Sequence, residues 1–515
     1  MALWQARHVQ FLLEQIGLQA ELKIIHTQGD QIQHLSLDKL EGKGFFTKEI
    51  EEALLNNETD IAVHSHKDLP TESPEGLVIA AIPEREDPSE LILIQKDSVD
   101  KRQKFSLKKN AIVGTSSARR KAQLLAHRPD VTINDLRGNV PTRVNKLREK
   151  MYDAILVAAA GVERLELDLS DFHVEKPDLS EFISAPAQGA LAIQIRSSDK
   201  ELFAKLQAIH HPEVAALTNI ERKVLELFHG GCHMPVGVSA ELADDDETFR
   251  VRACKAVTSD DLPIYVYAES KQSEGLAERI VEKIQNIKPC RVFMTRDLNS
   301  DSMISRVLGG HGFTIEGKAL IDTVPVEFGS APDSDWIFFS SKQAVNYFFR
   351  QQPEPGNRKY ACVGKPTADA LRKFGKRADF IGGSTDTKLI GKQFAAKAGD
   401  DKILFPQAKG SLRSVQQQFV RSSQVIDLVV YETLKRNSGP QPEAEIILFT
   451  SPSNVDAWFE RFKVNRQQQV IAMGDATGNT LRQHGIIMFS QPDAFDECAL
   501  LRAIFNASER IKITE

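Results

Sequence analysis

The sequence has little that would tie it to a metal, a disulfide framework or a membrane. Its 515 residues include five cysteines, Cys232, Cys254, Cys290, Cys362 and Cys498, and no two stand at CxxC spacing. That pattern argues against a zinc site or a stapled fold and makes a reducing cytoplasm the expected location. The 13 histidines show no ligand spacing beyond His64 and His66, which no carboxylate or cysteine completes. No apolar run reaches the roughly 18 residues that a membrane helix needs. The first residues, MALWQARHVQFLLEQIG, carry Arg7, His8 and Glu14 inside their apolar pattern. They read as an amphipathic helix rather than a signal peptide. A formal charge of −6 and a pI near 6.2 disfavour nucleic acid as partner. So does the lack of aromatics between residues 106 and 151, inside the one basic stretch.

That stretch is the main feature present. Residues 104–150 hold twelve Lys and Arg against three acids, a local charge of +9. GTSSARRK (Gly114–Lys121) and LRGNVPTR (Leu136–Arg143) both read as strand ends running into helix starts. Arginine forks and helix N-termini suit carboxylate or phosphate, so a polyanionic ligand is one reading and a solvated basic face the other.

Short β-rich runs alternate with helical patterns: DIAVHS (60–65), LILIQ (91–95), AIVGTSS (111–117), DAILVAAAG (153–161) and ALAIQIR (190–196). This predicts parallel α/β units. VGVSAEL, FRVRACKAV and IYVYAES then follow one another without helices, before SEGLAERIVEKIQNI, which predicts a small α+β domain. After Pro289 the α/β alternation restarts with no flexible linker between.

The second half repeats itself at a spacing of 110 residues. FFSSKQAVNYFF (338–349) aligns with LFTSPSNVDAWF (448–459), and VGKPTADALRKFG (363–375) with MGDATGNTLRQHG (473–485). Two similar α/β domains follow, each with small polar residues ending a strand and opening a helix. Such edges bind ligands in open sheets, and they equally serve as caps.

HGGCHMPVG (229–237) places Cys232 in a glycine loop after the helical pattern ALTNIERKVLELF, either as a reactive thiol or as an ordinary loop cysteine. HSHKDLP ends a strand with Lys67 and Asp68, and KLEGKGFFTKEIE supplies Lys43 and Phe46. In the order EGKGFFTKE, DIAVHSHKDLP, EREDP, GTSSARRK, LRGNVPTR, APAQGAL, HGGCHMPVG, residues 2–288 closely resemble hydroxymethylbilane synthase (porphobilinogen deaminase). FFSS, VVYETLK and FTSPSNV make residues 290–515 resemble uroporphyrinogen-III synthase.

The resemblance implies a fused enzyme for two consecutive steps of tetrapyrrole synthesis. Porphobilinogen would be polymerised with loss of ammonia, and the product hydroxymethylbilane closed to uroporphyrinogen III. Alternatively, only the synthase half is active. A carboxylate-binding module resembling two-domain solute receptors is a third reading, but a receptor has no need of Cys232. The implied fold is a two-domain periplasmic-binding-protein-like α/β unit plus a small α+β domain, then two flavodoxin-like α/β domains. The expected boundaries are 1–85 with 184–204, 86–183, 205–288, 290–326 with 434–515, and 327–433. By resemblance, Cys232 would hold a dipyrromethane cofactor through a thioether. Phe46, Lys43, Ser65, Lys67, Thr115, Ser116, Ser117, Arg119, Arg120 and Gln188 would surround it. Arg137, Arg143 and Arg164 would grip substrate carboxylates. Asp68 would be the catalytic carboxylate, holding pyrrole N–H groups and the cation left when ammonia departs. In the second half Tyr431 is the candidate proton donor, with Ser341, Gly364, Thr450, Ser451 and Gly474 as substrate contacts. A monomer is expected, with no nucleic acid and no membrane partner. The deaminase family usually opens with a strand and an Arg-x-Ser-Pro loop ahead of the Leu3–Ala6 helix. Here the sequence starts at Met1, so an upstream start is the favoured expectation and a weakened deaminase the other.

Overall fold

The computed structural model describes residues 1–27, 47–231, 234–351, 353, 356–383, 386–436 and 439–511. The chain divides into two compact units. One comprises 1–290, 299–314 and 492–515, the other 291–298 and 315–491. Among the described residues no helix is long and apolar enough to cross a membrane.

The first unit is mixed α/β with several sheets. Strands Ala62–Ser65, Leu191–Arg196 and Leu77–Ala81 form an antiparallel sheet with Leu191–Arg196 in the middle. The helix Ala2–Gln15 turns Val9 and Leu13 onto the core of Ala80, Ile193 and Ile195, as the amphipathic pattern predicts. A five-stranded sheet runs in the order Thr132–Asn134, Ile112–Gly114, Ala154–Ala158, Glu90–Gln95, Phe172–Glu175. Its first three strands are parallel, while Glu90–Gln95 runs antiparallel to both neighbours. The expectation of purely parallel units therefore does not hold. Hydrophobic periodicity reports which faces are buried and carries no information on strand direction. Apolar clusters cover both faces of this sheet, which is why ELILIQ reads as a continuous apolar run. The expected antiparallel sheet is present as Val236–Leu242, Phe249–Lys255 and Ile264–Ser270, with Phe249–Lys255 central. Helices Pro212–Leu227 and Leu276–Gln285 accompany it.

In the second unit, Arg291–Met294, Ile446–Phe449 and Gln469–Ala472 pair in parallel. A six-stranded sheet has the order Ile321–Pro325, Val425–Lys435, Ile403–Ala408, Trp336–Phe339, Lys359–Cys362, Phe380–Ile381. The 110-residue repeat is structural. Strand Trp336–Phe339 matches Ile446–Phe449, and Lys359–Cys362 matches Gln469–Ala472. Helix Lys342–Arg350 matches Pro452–Phe459, and Lys365–Arg372 matches Asp475–Gln483. Residues 299–314 and 492–511, which the expected boundaries assign to the second half, group by contact with the first unit.

Two histidines make the first unit sensitive to acid. His64 bonds Gln194 at 3.0 Å and is held down to about 4 by burial. His66 is held down to about 3, by burial first and then by the charges of Arg222 and Arg85. Both stay neutral in the folded state while the unfolded chain takes up their protons near pH 6.5. Stability is therefore lost as pH falls from 6.5 towards 4, by about 1.4 kcal/mol per pH unit for each histidine. Urea unfolding between pH 7 and 4.5 should show this slope, and His66→Gln should reduce it. An unchanged slope in that variant would contradict the assignment.

Candidate functional site

Strand Ala62–Ser65 ends in a tight turn, His66–Asp68, that lifts Asp68 into solvent. One arginine fixes this turn. Arg222, turned inward from the helix Pro212–Leu227, donates from Nη1 to the carbonyls of His66 (2.7 Å) and Leu69 (3.2 Å). Its Nη2 donates to Pro70 at 2.5 Å. The preceding residue, Glu221, is fully buried and takes both Nη atoms of Arg85 at 3.0 Å. It also accepts from the backbone of Ala187 at 2.6 Å and Ala240 at 2.8 Å. Arg85 in turn bonds the carbonyl of Gln188 at 2.8 Å. Next to it Gly189 stands at φ +85, where an added Cβ would meet the Glu86 carbonyl at 2.3 Å. The glycine of APAQGAL is thus required by close approach as well as by its dihedral.

Behind Asp68 lies a buried ionic cluster. Glu90, fully buried, takes Arg119 Nη2 at 2.6 Å and Arg120 Nη2 at 2.7 Å. Arg119 also donates to the Ile183 carbonyl at 2.8 Å, and Arg120 to Leu156 at 3.2 Å. Burial raises the Glu90 carboxyl, but the two guanidiniums win and hold it at about 2. Gln188 donates to Glu90 at 3.1 Å and accepts from Lys67 Nζ at 3.4 Å. Burial lowers the Lys67 ammonium, and the charge of Asp68 opposes that. Two guanidiniums and an ammonium against one buried carboxylate leave this floor positive.

Above it, Arg143 bonds the Gly138 carbonyl at 2.7 Å and has no salt bridge among the described residues. Its guanidinium is held down to about 10, by burial first, then by repulsion from Arg120 and Arg137, with Asp68 acting against them. A cation pushed down by other cations marks a place that an anion would relieve. Arg164 is buried, donates to the Gly189 carbonyl at 2.6 Å and lies over the Trp4 ring at 5.4 Å. Its Nε is buried with no partner among the described residues. Ser65 Oγ accepts from Gln5 at 2.8 Å.

The hydroxyls of the GTSSARRK segment first serve their own turn. Thr115 Oγ1 accepts from the Ser117 amide at 3.2 Å. Ser116 Oγ donates to the Leu136 carbonyl at 3.1 Å and accepts from its amide at 3.0 Å. Ser117 caps the helix Ala118–His127 through the Arg120 amide at 3.5 Å. These residues, with Lys121 and Asp135, line a groove of about 410 Å³. Met234 and Pro235, which follow Cys232 and His233 in sequence, complete it with Val257 to Ser259. Cys232, Lys43 and Phe46 themselves lie outside the described residues.

In the second unit, Tyr431 is buried in the long strand and stacks on Tyr347 at 5.3 Å between ring centres. Its hydroxyl meets Ser341 Oγ at 3.3 Å. Burial raises the phenol, so it stays protonated at neutral pH. Ser341 and Ser451 cap matched helices with nearly equal dihedrals, φ/ψ −157/157 and −163/159. Gly364 and Gly474 open the next matched pair. Thr450 donates from Oγ1 to the Thr295 carbonyl at 3.0 Å, and its amide donates to Thr295 Oγ1 at 2.9 Å. Ser341 and Tyr431 are thus brought together, and Thr450 and Ser451 adjoin in sequence.

Residues 1–204 match the family model described as porphobilinogen deaminase, dipyrromethane cofactor binding domain. The porphobilinogen deaminase of Sulfurimonas denitrificans is 45% identical over 256 residues, covering 49% of this chain and 80% of that protein. That of Brevibacillus brevis is 46% identical over 231 residues, covering 44% and 72%. The chain belongs to the porphobilinogen deaminase family. Residues 302–502 match the family model of uroporphyrinogen-III synthase, so a synthase domain is fused behind the deaminase. Among solved structures, the uroporphyrinogen-III synthetase of Helicobacter pylori is similar at 16% identity, covering 41% of this chain and 96% of that one, with a TM-score of 0.32.

The deaminase cofactor fits the residues present. A dipyrromethane carries carboxylates, and the floor of this site is a cation cluster, with Arg143 beside it making no salt bridge among the described residues. Glu90, Glu221 and Arg222 were not singled out in sequence. The available signal was a charged residue opening the apolar run ELILIQ, and an acid–base pair inside an apolar helix face. Glu90→Gln leaves two buried guanidiniums with one neutral partner. It should cost about 3–5 kcal/mol of unfolding free energy at pH 7, read by urea denaturation. A loss below about 1 kcal/mol would mean that Arg119 and Arg120 find other partners.

Proposed function

We propose that the deaminase half joins four porphobilinogen units head to tail, releasing one ammonia at each condensation, and that the synthase half closes the resulting hydroxymethylbilane to uroporphyrinogen III. The observation that carries the first reaction is Asp68, an exposed carboxylate on a turn locked by Arg222, facing Arg143 and Lys67. Cys232 holds the dipyrromethane through a thioether in the glycine loop after the helix Pro212–Leu227. When bound, that group supplies the first pyrrole nucleophile. Arg137, Arg143 and Arg164 hold carboxylates of the incoming unit. Arg119 and Arg120 set the positive potential of the floor while bound to Glu90, and Lys67 and Gln188 extend it. Thr115, Ser116 and Ser117 offer hydroxyl edges along the groove, and by family resemblance Lys43 assists in holding carboxylates and Phe46 packs on the cofactor. Asp68 accepts a pyrrole N–H and stabilises the positive charge that develops as ammonia leaves, which is worth a few kcal/mol where water is excluded.

In the synthase half Tyr431 donates a proton to the departing hydroxyl, which leaves as water. Burial keeps its phenol protonated, the form a donor needs. Ser341, Gly364, Thr450, Ser451 and Gly474 present backbone amides and hydroxyls at helix starts to substrate carboxylates. The domain plan that goes with this reading is a receptor-like pair, 1–85 with 184–204 and 86–183, followed by the cofactor-attachment domain 205–288. Behind them come two flavodoxin-like domains, 290–326 with 434–515 and 327–433.

Incubating the purified chain with porphobilinogen, oxidising and resolving the uroporphyrins tests both halves. Isomer III is expected. Mostly isomer I would remove the synthase assignment, and no porphyrin would remove the deaminase assignment. Cys232→Ala should lose the covalent mass addition on its peptide while the second half stays folded. Asp68→Asn should lower kcat by about a hundredfold or more with little change in cofactor mass, and a KM effect alone would place Asp68 in binding only.

A further inference from the structure

We infer that the end of the synthase sequence is a working part of the deaminase unit, where it clamps segment 180–184 to that unit's antiparallel sheet. Residues 299–314 and 492–515 pack within the first unit, although the synthase family model runs over 302–502. The chain therefore passes between the units four times rather than once. The last helix, Glu497–Ser508, has ten of its twelve residues buried, including Arg502 and Ser508. A helix buried on all sides is a core element, not a surface appendage.

Its polar residues are spent on named deaminase partners. Arg502 is fully buried and grips Asp493 with Nε at 2.8 Å and Nη2 at 3.0 Å. Its Nη1 donates to the Ser180 carbonyl at 2.7 Å. Asp493 also takes Arg252 Nε at 2.6 Å, from the central strand of the antiparallel sheet. Asp496 accepts from Ser180 Oγ at 2.8 Å. Asn506 donates to the Tyr267 carbonyl at 2.7 Å and accepts from its amide at 3.4 Å. Segment 180–184 is thereby joined to strands Phe249–Lys255 and Ile264–Ser270 through one ionic spine.

That segment is also where the catalytic floor is anchored. The Ile183 carbonyl receives both Arg119 at 2.8 Å and Gln123 at 2.9 Å. Arg502 is thus a positioning residue for the deaminase, because Ser180, which it holds, lies three residues along the backbone from the Ile183 carbonyl that receives Arg119.

The full chain tests this by hydrogen exchange in Arg502→Met, Arg502→Lys and Asn506→Ala. Exchange in peptides covering 180–184 and 249–255 should speed up at least tenfold in Arg502→Met and be partly restored in Arg502→Lys. Asn506→Ala removes only the two bonds to Tyr267 and should speed exchange in 264–270 with the helical circular dichroism intact. It decides the matter if Arg502→Met does not fold. Faster exchange in these deaminase segments in either variant supports the clamp, and unchanged exchange in both overturns it. The readout does not depend on the reactions proposed above, so the two can fail separately.

Discussion

One turn of helix holds the deaminase site together. Glu221 and Arg222 are neighbours in sequence, and both are turned into the protein from the helix Pro212–Leu227. Glu221 gathers Arg85, the Ala187 amide and the Ala240 amide. Arg222 gathers the carbonyls around Asp68. A buried carboxylate with four donors and a buried guanidinium on three carbonyls are each held by several hydrogen bonds, which is the condition under which buried charge is tolerated. The same helix runs on into the glycine loop that carries Cys232. Through Arg222, the turn that carries the proposed catalytic carboxylate is referenced to a helix rather than to a loop alone.

The basic stretch divides into structural and site charge once its partners are named. Arg128 forks onto Asp130 and donates to the carbonyls of Lys104, Leu107 and Lys108, pinning the loop beneath it. Lys108 pairs with Asp153, Lys121 with Asp260, Arg148 with Asp171 and Lys150 with Asp97. These neutralise a large part of the +9 with acids from outside the stretch, so the solvated-face reading is right for them. Arg119 and Arg120 are intermediate: paired, yet two against one. Arg143 stands apart, depressed by burial first and then by its fellow cations. Counting charges along a sequence overstates an anion site because it cannot see acids that arrive from elsewhere in the fold.

Much of the architecture was legible because it rests on local pattern. The amphipathic first helix, the three bare strands from Val236 to Ser270 and the repeat all follow from periodicity. Strand direction did not, since Glu90–Gln95 buries the same residues whichever way it runs. Nor did the place of the last helix. Its residues ECALLRAIFNAS show that it is buried but not against what, and the further partners of Asp493 and Arg502, Arg252 and Ser180, lie more than two hundred residues away. Of the site, the residues with family motifs were legible. The buried Glu90 was not, because an acid beginning an apolar strand looks like a strand boundary until two arginines are found on it.

The repeat in the second unit shows why small polar residues at strand ends are hard to assign from sequence. Ser341 and Ser451 each spend their Oγ on an amide of the helix they open, at 3.0 and 3.3 Å. The hydroxyl that marks the position in sequence is thus partly consumed by folding. What the cap leaves open is the remaining backbone N–H groups of the first turn, which carry the positive end of the helix dipole. Two such starts per domain, repeated at a fixed spacing, suit a substrate bearing many carboxylates better than any single charged side chain would. The buried phenol of Tyr431 touches one of these caps. That contact, with the phenol kept protonated by burial, is what makes Tyr431 the proposed proton donor.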